Sequence, residues 1–278
     1  MMDLYSKVCK ETSKLVTQSY STSFSLGIRL FSEEYRQPIY SIYGFVRFAD
    51  EIVDTFHEHD KALLFEEFRQ ETYKALERRI SLNPILQAFQ EVVHQWDLCR
   101  SLIDGFLDSM EMDLESRSFD QPTYERYIFG SAEVVGLMCL KVFVKGDQAE
   151  YERLRKPAMK LGSAFQKVNF LRDIKSDFQE RGRVYFPGVA YESFTCQEKK
   201  IIEAEIRAEF DEALLGIEQL PKGARLGVYL AFQYYQRLLT KIQNCSAAEV
   251  KERRIRVPDA SKMMILGSSA LKYNLKSL

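Results

Sequence analysis

Four aspartates stand in two pairs, each pair four residues apart. Asp50 and Asp54 lie in FVRFADEIVD (45–54), and Asp173 and Asp177 in FQKVNFLRDIKSDF (165–178). On a helix of about 100° per residue, Asp54, Arg47, Tyr43 and Tyr40 fall within about 80° of Asp50. Val46, Val53, Ile42, Ala49 and Phe56 fall to one side. In the second stretch Gln166, Asn169, Asp173 and Asp177 share one arc of about 80°. Leu161, Ala164, Phe165, Val168, Phe170 and Leu171 occupy most of the remaining circumference, the pattern of a buried helix. The amide and acid stripe of such a helix is buried as well, unless it lines a cavity.

A lone buried carboxylate costs several kcal/mol, so it protonates or finds a partner. Two carboxylates one turn apart repel and call for a cation between them. Two such pairs on two helices make an oxygen-rich site. Hard oxygen donors with open positions suit Mg2+, with Mn2+ as the alternative ion, and phosphate oxygens complete the shell. Asp50, Asp54, Asp173 and Asp177 are the candidate metal ligands, with Asn169 on the same face. Arg47 and Arg172 stand beside them, and guanidinium forks bind phosphate oxygens well. A solvated acidic face is the plain alternative for any one DxxxD. The chain holds a third, Asp104 and Asp108 in LIDGFLDSMEMDLE. No comparable set of Arg, Gln and Asn accompanies it, so it reads as a decoy, with Asp104 a packing residue.

The elements that must carry these residues are helical. Apolar positions recur with the helical period over roughly 2–20, 34–56, 60–80, 84–94, 97–116, 121–144, 148–155, 157–181, 196–219, 222–244 and 259–272. Thr195 with Glu198 three residues on fits a capping box. Pro157 and Pro221 mark helix starts, and Gly182 a stop. No alternating strand, low-complexity segment or internal repeat stands out. The reading is an all-α chain, with 1–278 as one domain.

Composition narrows the class. The chain has 278 residues and is 46% hydrophobic and 28% charged, enough for a sizeable core. Its formal net charge of −1 argues against a nucleic-acid partner. Five scattered cysteines without a CxxC pair read as reduced thiols in a cytoplasmic protein. Three histidines leave little material for a zinc site. The N-terminal stretch lacks an apolar signal core, and no apolar run approaches the ~20 residues that span a bilayer. Lys251, Arg253, Arg254, Arg256 and Lys262 offer peripheral contact with the inner face of an anionic membrane, or an ordinary solvated surface. Oligomeric state is not written in these residues.

From about residue 5 to 260 the chain resembles the squalene/phytoene synthase family of head-to-head prenyl synthases. The resemblance rests on STSF (21–24), YGFVRFADEIVD (43–54), LIDGFLDSMEMDL (102–114), YIFGSAEVVG (127–136), FQKVNFLRDIKSDFQERGRVYFP (165–187) and RIRVP (254–258). It implies an isoprenoid-synthase helical fold around a central cavity, with prenyl diphosphates as substrates. The four aspartates match the two aspartate-rich motifs that hold Mg2+, with Asn169 and Gln166 on the second face. Arg47 and Arg172 match arginines that meet diphosphate. Ser21, Ser23 and Phe24 match a flap over the cavity mouth, and Tyr127 a cavity tyrosine. Tyr235 and Arg254 resemble a late tyrosine and arginine near the diphosphate, with looser spacing. Arg183 and Tyr185 sit in a loop that the family shares. Glu133 stands where many members have a small residue, and is expected to face a charged partner rather than the cavity. Glu51 replaces a common Asp.

The resemblance implies ionisation of one allylic diphosphate and attack on the cation by a second prenyl diphosphate. A cyclopropyl diphosphate forms and then rearranges. The sequence is most like bacterial phytoene synthases, which join two geranylgeranyl diphosphates without a reductant. Squalene or dehydrosqualene synthesis from farnesyl diphosphate is the alternative, with NADPH required only for squalene. A non-catalytic relative would be expected to lose metal carboxylates, and a terpene cyclase to carry a DDxxD-like motif. Neither pattern is present.

Overall fold

The computed structural model describes residues 2–115 and 118–258. Twelve α-helices are found among them: α1 (Met2–Tyr20), α2 (Thr22–Arg29), α3 (Glu33–Asp54), α4 (Lys61–Arg78), α5 (Pro84–Trp96), α6 (Arg100–Glu115), α7 (Gln121–Ile128), α8 (Val134–Phe143), α9 (Gln148–Arg181), α10 (Cys196–Ile217), α11 (Lys222–Gln243) and α12 (Ala247–Glu252). Among the described residues the only β-pairing is an isolated bridge between Ser118 and Val184. No helix there is long and apolar enough to cross a membrane. All five cysteines are free.

Local chemistry explains most of the helix starts. Asp60, Asn83, Asp120 and Asp147 each accept a hydrogen bond from a backbone N–H of the first turn. Such a cap contributes about 1 kcal/mol. Thr195 and Ser246 form reciprocal capping boxes with Glu198 and Glu249. After α9, Gly182 takes φ 68°, where its N–H and that of Arg183 close on the carbonyls of Phe178 and Asp177. That reversal sends the chain back toward the aspartates.

The structure corrects several expected boundaries. The spans 148–155 and 157–181 are one helix that passes through Pro157. Proline there gives up one backbone hydrogen bond, but its ring is packed against α10. A Cβ on Gly216 would come within 2.3 Å of the Pro157 ring, so a glycine is needed opposite it. The expected 121–144 helix contains a π-helical turn, Phe129–Glu133, between α7 and α8. Gly130 packs there against α6 and Gly162 of α9 against Ala132, too closely for any side chain. Helices α2 and α12 lie outside the spans expected to be helical. The expected helix 259–272, with Lys262, lies outside the described residues.

Two apolar cores hold the helices. One gathers α3, α4, α5, α6 and α8, with Phe45 stacked on Phe89 at 3.9 Å between ring centroids. The other gathers α9, α10, α11 and the 185–194 loop. Helix α9 belongs to both sides of the molecule, packing on α8, the π turn, α10 and α11. Its polar stripe is therefore only partly exposed, with the Asp173 and Asp177 side chains at 17% and 14%.

Candidate active site

Between the two cores runs a cavity with about 320 Å3 of internal space, walled by α2, α3, the π turn, α8, α9, α10 and α11. Its wall is overwhelmingly apolar, with polar side chains concentrated at one end. On α9 the lining steps from Asn169 and Gln166 through Gly162 and Ala158 to Leu154. At 1.5 Å per residue that is roughly 22 Å of depth. On α3 it steps from Val46 through Tyr43 and Ile42 to Ile39, again away from the aspartates. Tyr235 of α11 lines the polar end, donates to Asn169 Oδ1 at 3.2 Å and stacks on Phe165 at 4.0 Å.

Beyond that end stand the aspartates, each with a guanidinium partner. Arg47 grips Asp50 and Glu51, and its face lies 4.3 Å from the Tyr20 ring. Arg172 and Arg254 both pair with Asp173, the latter at 2.7 Å. Arg181 spans Asp177 at 3.2 Å and Asp54 at 3.3 Å. Arg183 donates to Asp54 at 2.8 Å and to the Asp113 carbonyl at 2.7 Å. The Asp113 carboxylate is closed off, accepting from Tyr127 at 2.6 Å and Tyr185 at 3.0 Å.

Burial shows in the acidities. Asp50 is pushed up to about 7 by burial and then by the Asp54 charge, against the pull of Arg47. A third of its side chain still meets solvent (34%), so it is enclosed by protein yet accessible. Asp177 is raised to about 7 by burial and the neighbouring Asp173. Asp113 is raised to about 6 by burial, with Arg183 and the Tyr127 hydroxyl opposing. Groups that resist ionisation when bare gain most from a bound cation.

This donor set fits a divalent ion of the hard class. Among the described residues no three His, Cys, Asp or Glu side chains converge as a ready-made metal cluster. Mg2+ does not require one, because it commonly takes one or two carboxylates and completes its shell with water and phosphate oxygens. Asp50 with Asp54, and Asp173 with Asp177, are the pairs available for that purpose.

Most of the residues singled out from the sequence meet here: Arg47, Gln166, Asn169, Arg172, Arg183, Tyr235 and Arg254 join the four aspartates. Phe24 lines the cavity, 5.7 Å from the Tyr43 ring. Ser23 borders a small adjoining pocket. Ser21 is the N-cap of α2, accepting from the Phe24 N–H. Tyr127 is a correction. It does not line the cavity: its hydroxyl is committed to Asp113 and its ring to Phe119 and Tyr185. Glu133 is also absent from the lining and faces Lys160, with burial pushing it up to about 7. The third acidic pair lies on the outer surface, where Asp108 meets Arg69 and Asp104 accepts from Tyr73. Two residues of the cluster were not singled out. Arg181 reads locally as an ordinary i, i+4 partner of Asp177, and Asp113 is hidden in an acidic run.

Comparison with known proteins places the chain and its fold. Residues 17–260 match the family model described as squalene/phytoene synthase. The chloroplastic phytoene synthase 3 of Zea mays is 27% identical over 92% of this chain. This chain spans 64% of that protein's length and 62% of two further plant relatives'. The phytoene synthase of Arthrospira platensis is 25% identical, with 94% of this chain and 92% of the relative aligned. A crystal structure of a dehydrosqualene synthase in complex with ligand superposes with a TM-score of 0.83 at 20% identity, covering 98% of both chains. That likeness establishes the fold.

Proposed function

Because the chain belongs to the squalene/phytoene synthase family, we propose that it joins two prenyl diphosphates head to head. The finer reading is two geranylgeranyl diphosphates giving phytoene through a cyclopropyl diphosphate. One observation carries it: a long apolar cavity has its polar end at Asn169, one helical turn before Asp173, and beyond it stand four aspartates, each already paired with an arginine. An apolar tail with a diphosphate head has that same polarity.

In this reading Arg47, Arg172 and Arg254 donate to diphosphate oxygens. They do so where negative charge grows as the carbon–oxygen bond breaks. Asp50, Asp54, Asp173 and Asp177, with Asn169, would hold Mg2+, or Mn2+ in its place, and the ion would supply positive charge for the departing diphosphate. Gln166 and Asn169 mark the boundary between head and tail. The apolar wall excludes water, which would quench the allylic cation, and Phe165 and Tyr235, stacked on each other in the wall, are the aromatic rings nearest Asn169 to stabilise it. Tyr127 acts from behind the wall, by anchoring Asp113 and through it the Arg183 loop.

The phytoene reading draws on the Arthrospira relative, which aligns along nearly its whole length. Squalene or dehydrosqualene formation from farnesyl diphosphate uses the same site with a shorter tail, and squalene would also need NADPH. The deciding experiment supplies Mg2+ with geranylgeranyl or farnesyl diphosphate, with and without NADPH, and identifies the extracted hydrocarbon. A C40 product without NADPH supports phytoene synthesis. A C30 product replaces it with the farnesyl branch, and no hydrocarbon from either substrate rejects the condensation.

A further inference from the structure

We infer that Arg181 is a built-in stand-in cation: it bridges Asp54 and Asp177 when no divalent ion is bound, and an arriving ion displaces it. The inference rests on the proposed function only in taking a divalent ion as the ligand of these aspartates.

The two arginines of the 181–183 turn behave differently. Arg183 is 5% exposed, makes hydrogen bonds of 2.7 and 2.8 Å, and lies 3.4 Å from the Asp113 carboxylate as well. It is fixed on several sides, so its removal would leave buried carboxylates bare. Arg181 is 23% exposed, and its contacts to Asp177 and Asp54 are longer, at 3.2 and 3.3 Å. The Asp54 contact runs through its buried Nε, outside hydrogen-bond geometry. A guanidinium held there by charge without a well-formed hydrogen bond is bound less tightly than its neighbour.

The position matters as much as the strength. Arg181 is the last residue of α9, one turn beyond Asp177, and Gly182 at φ 68° reverses the chain directly after it. It alone among the described arginines pairs with one carboxylate from each aspartate motif through its own side chain. One positive charge shared by two carboxylates leaves a negative surplus. A divalent ion taken up by either pair, Asp50 with Asp54 or Asp173 with Asp177, would bring two positive charges to a carboxylate that Arg181 contacts. Ion and guanidinium then compete for that carboxylate. The released guanidinium lies at the cluster's edge, where it can donate to an incoming anion.

The test uses the full chain and needs no turnover. Mn2+ binding is followed from the electron paramagnetic resonance signal of the free ion, and Mg2+ binding by the shift in thermal midpoint, both without substrate. Arg181→Gln should lower the metal-free midpoint and reduce the half-saturating Mn2+ concentration about tenfold, equivalent to about 1.4 kcal/mol. Arg181→Lys, too short to span both carboxylates, should reduce it about threefold, and carries the test if the Gln variant does not fold. Unchanged or weaker Mn2+ binding in these variants would overturn the inference, making Arg181 a clamp or an aid to the metal. Adding Asp54→Asn to Arg181→Gln should abolish the gain, and a gain that persists would place the ion elsewhere and also overturn it. If the variants bind Mn2+ more tightly while the wild type forms no hydrocarbon, the displaced-cation role stands and the proposed condensation fails.

Discussion

Helix α9 carries buried charge on two sides. Toward the cavity it presents Asp173 and Asp177 with their arginines. Toward α10 it presents Lys167, which pairs with Glu209 at 2.9 Å, while Ser163 donates to the same carboxylate at 2.9–3.0 Å. Lys167, Glu209 and Ser163 are 4%, 5% and 1% exposed. This second cluster is closed at its centre, where Lys167 and Glu209 answer each other, while its outer partners Lys160 and Glu205 reach solvent. The aspartate cluster is 14–34% exposed on its acidic side chains and opens on an apolar cavity. Buried charge alone therefore does not mark a working site. What separates the two is access for a ligand.

The largest expected effect tests the open side. Asp50→Asn or Asp173→Asn should reduce turnover by about a thousandfold or more, a barrier increase of about 4 kcal/mol. The helical circular dichroism should be unchanged. Retention of full activity by either variant with Mg2+ would end the metal-site assignment. Next comes the closed side. Lys167→Met leaves Glu209 with Lys160 at 3.1 Å and Ser163 and should cost about 2 kcal/mol in urea unfolding, with kcat of the surviving folded protein little changed. A selective loss of kcat would erase the contrast between the clusters.

A smaller effect concerns Glu133, which sits at the edge of the closed cluster near Lys160, Lys167, Arg155 and Glu209. Its folded pKa, about 7, lies above its ordinary 4.5 because of burial. The native state then keeps a proton that the unfolded chain has released, so stability falls as pH rises from 4.5 to 7. Asp50, Asp113 and Asp177 are raised too and contribute slopes of the same sign. Glu133→Gln should flatten only its own share, so the variant should gain stability on the wild type from pH 5 to 8 in parallel urea titrations. The smallest effect belongs to the outer surface. Asp108→Asn, at a side chain 60% exposed, should shift stability by less than about 0.5 kcal/mol and leave activity alone.

The parts legible in the sequence were those governed by neighbours along the chain. The capping box at Thr195, the stop at Gly182 and the stripe Gln166–Asn169–Asp173–Asp177 all follow from residues within a turn or two, and all stand in the structure. Pro157 was misread because the local rule makes proline a start, whereas here packing against Gly216 carries the helix through it. The π turn owes its register to Gly130 and Gly162 meeting α6 and the turn itself, contacts that no local pattern displays. In α2 only eight residues follow Ser21, too few for the helical period to stand out. At the site, Asp113 escaped notice because its partners Tyr127, Arg183 and Tyr185 lie 14 to 72 residues away. Tyr127 was placed on the cavity wall by resemblance, and only the three-dimensional path of its hydroxyl to Asp113 moves it behind the wall.

The Arg183 bond to Asp54 joins positions 129 residues apart. On a ribosome, at 5–20 residues per second, the acidic end of α3 waits roughly 6–26 s for that partner to be made. During that interval α1 and α3–α6 can already pack through contacts of much shorter range, with Asp54 still facing water. Closing so long a segment is entropically slow, and its contacts reward the chain only at the end. Asp54 thus acquires Arg183 late, whereas Asp50 and Asp173 meet Arg47 and Arg172 within the same helix as soon as it forms.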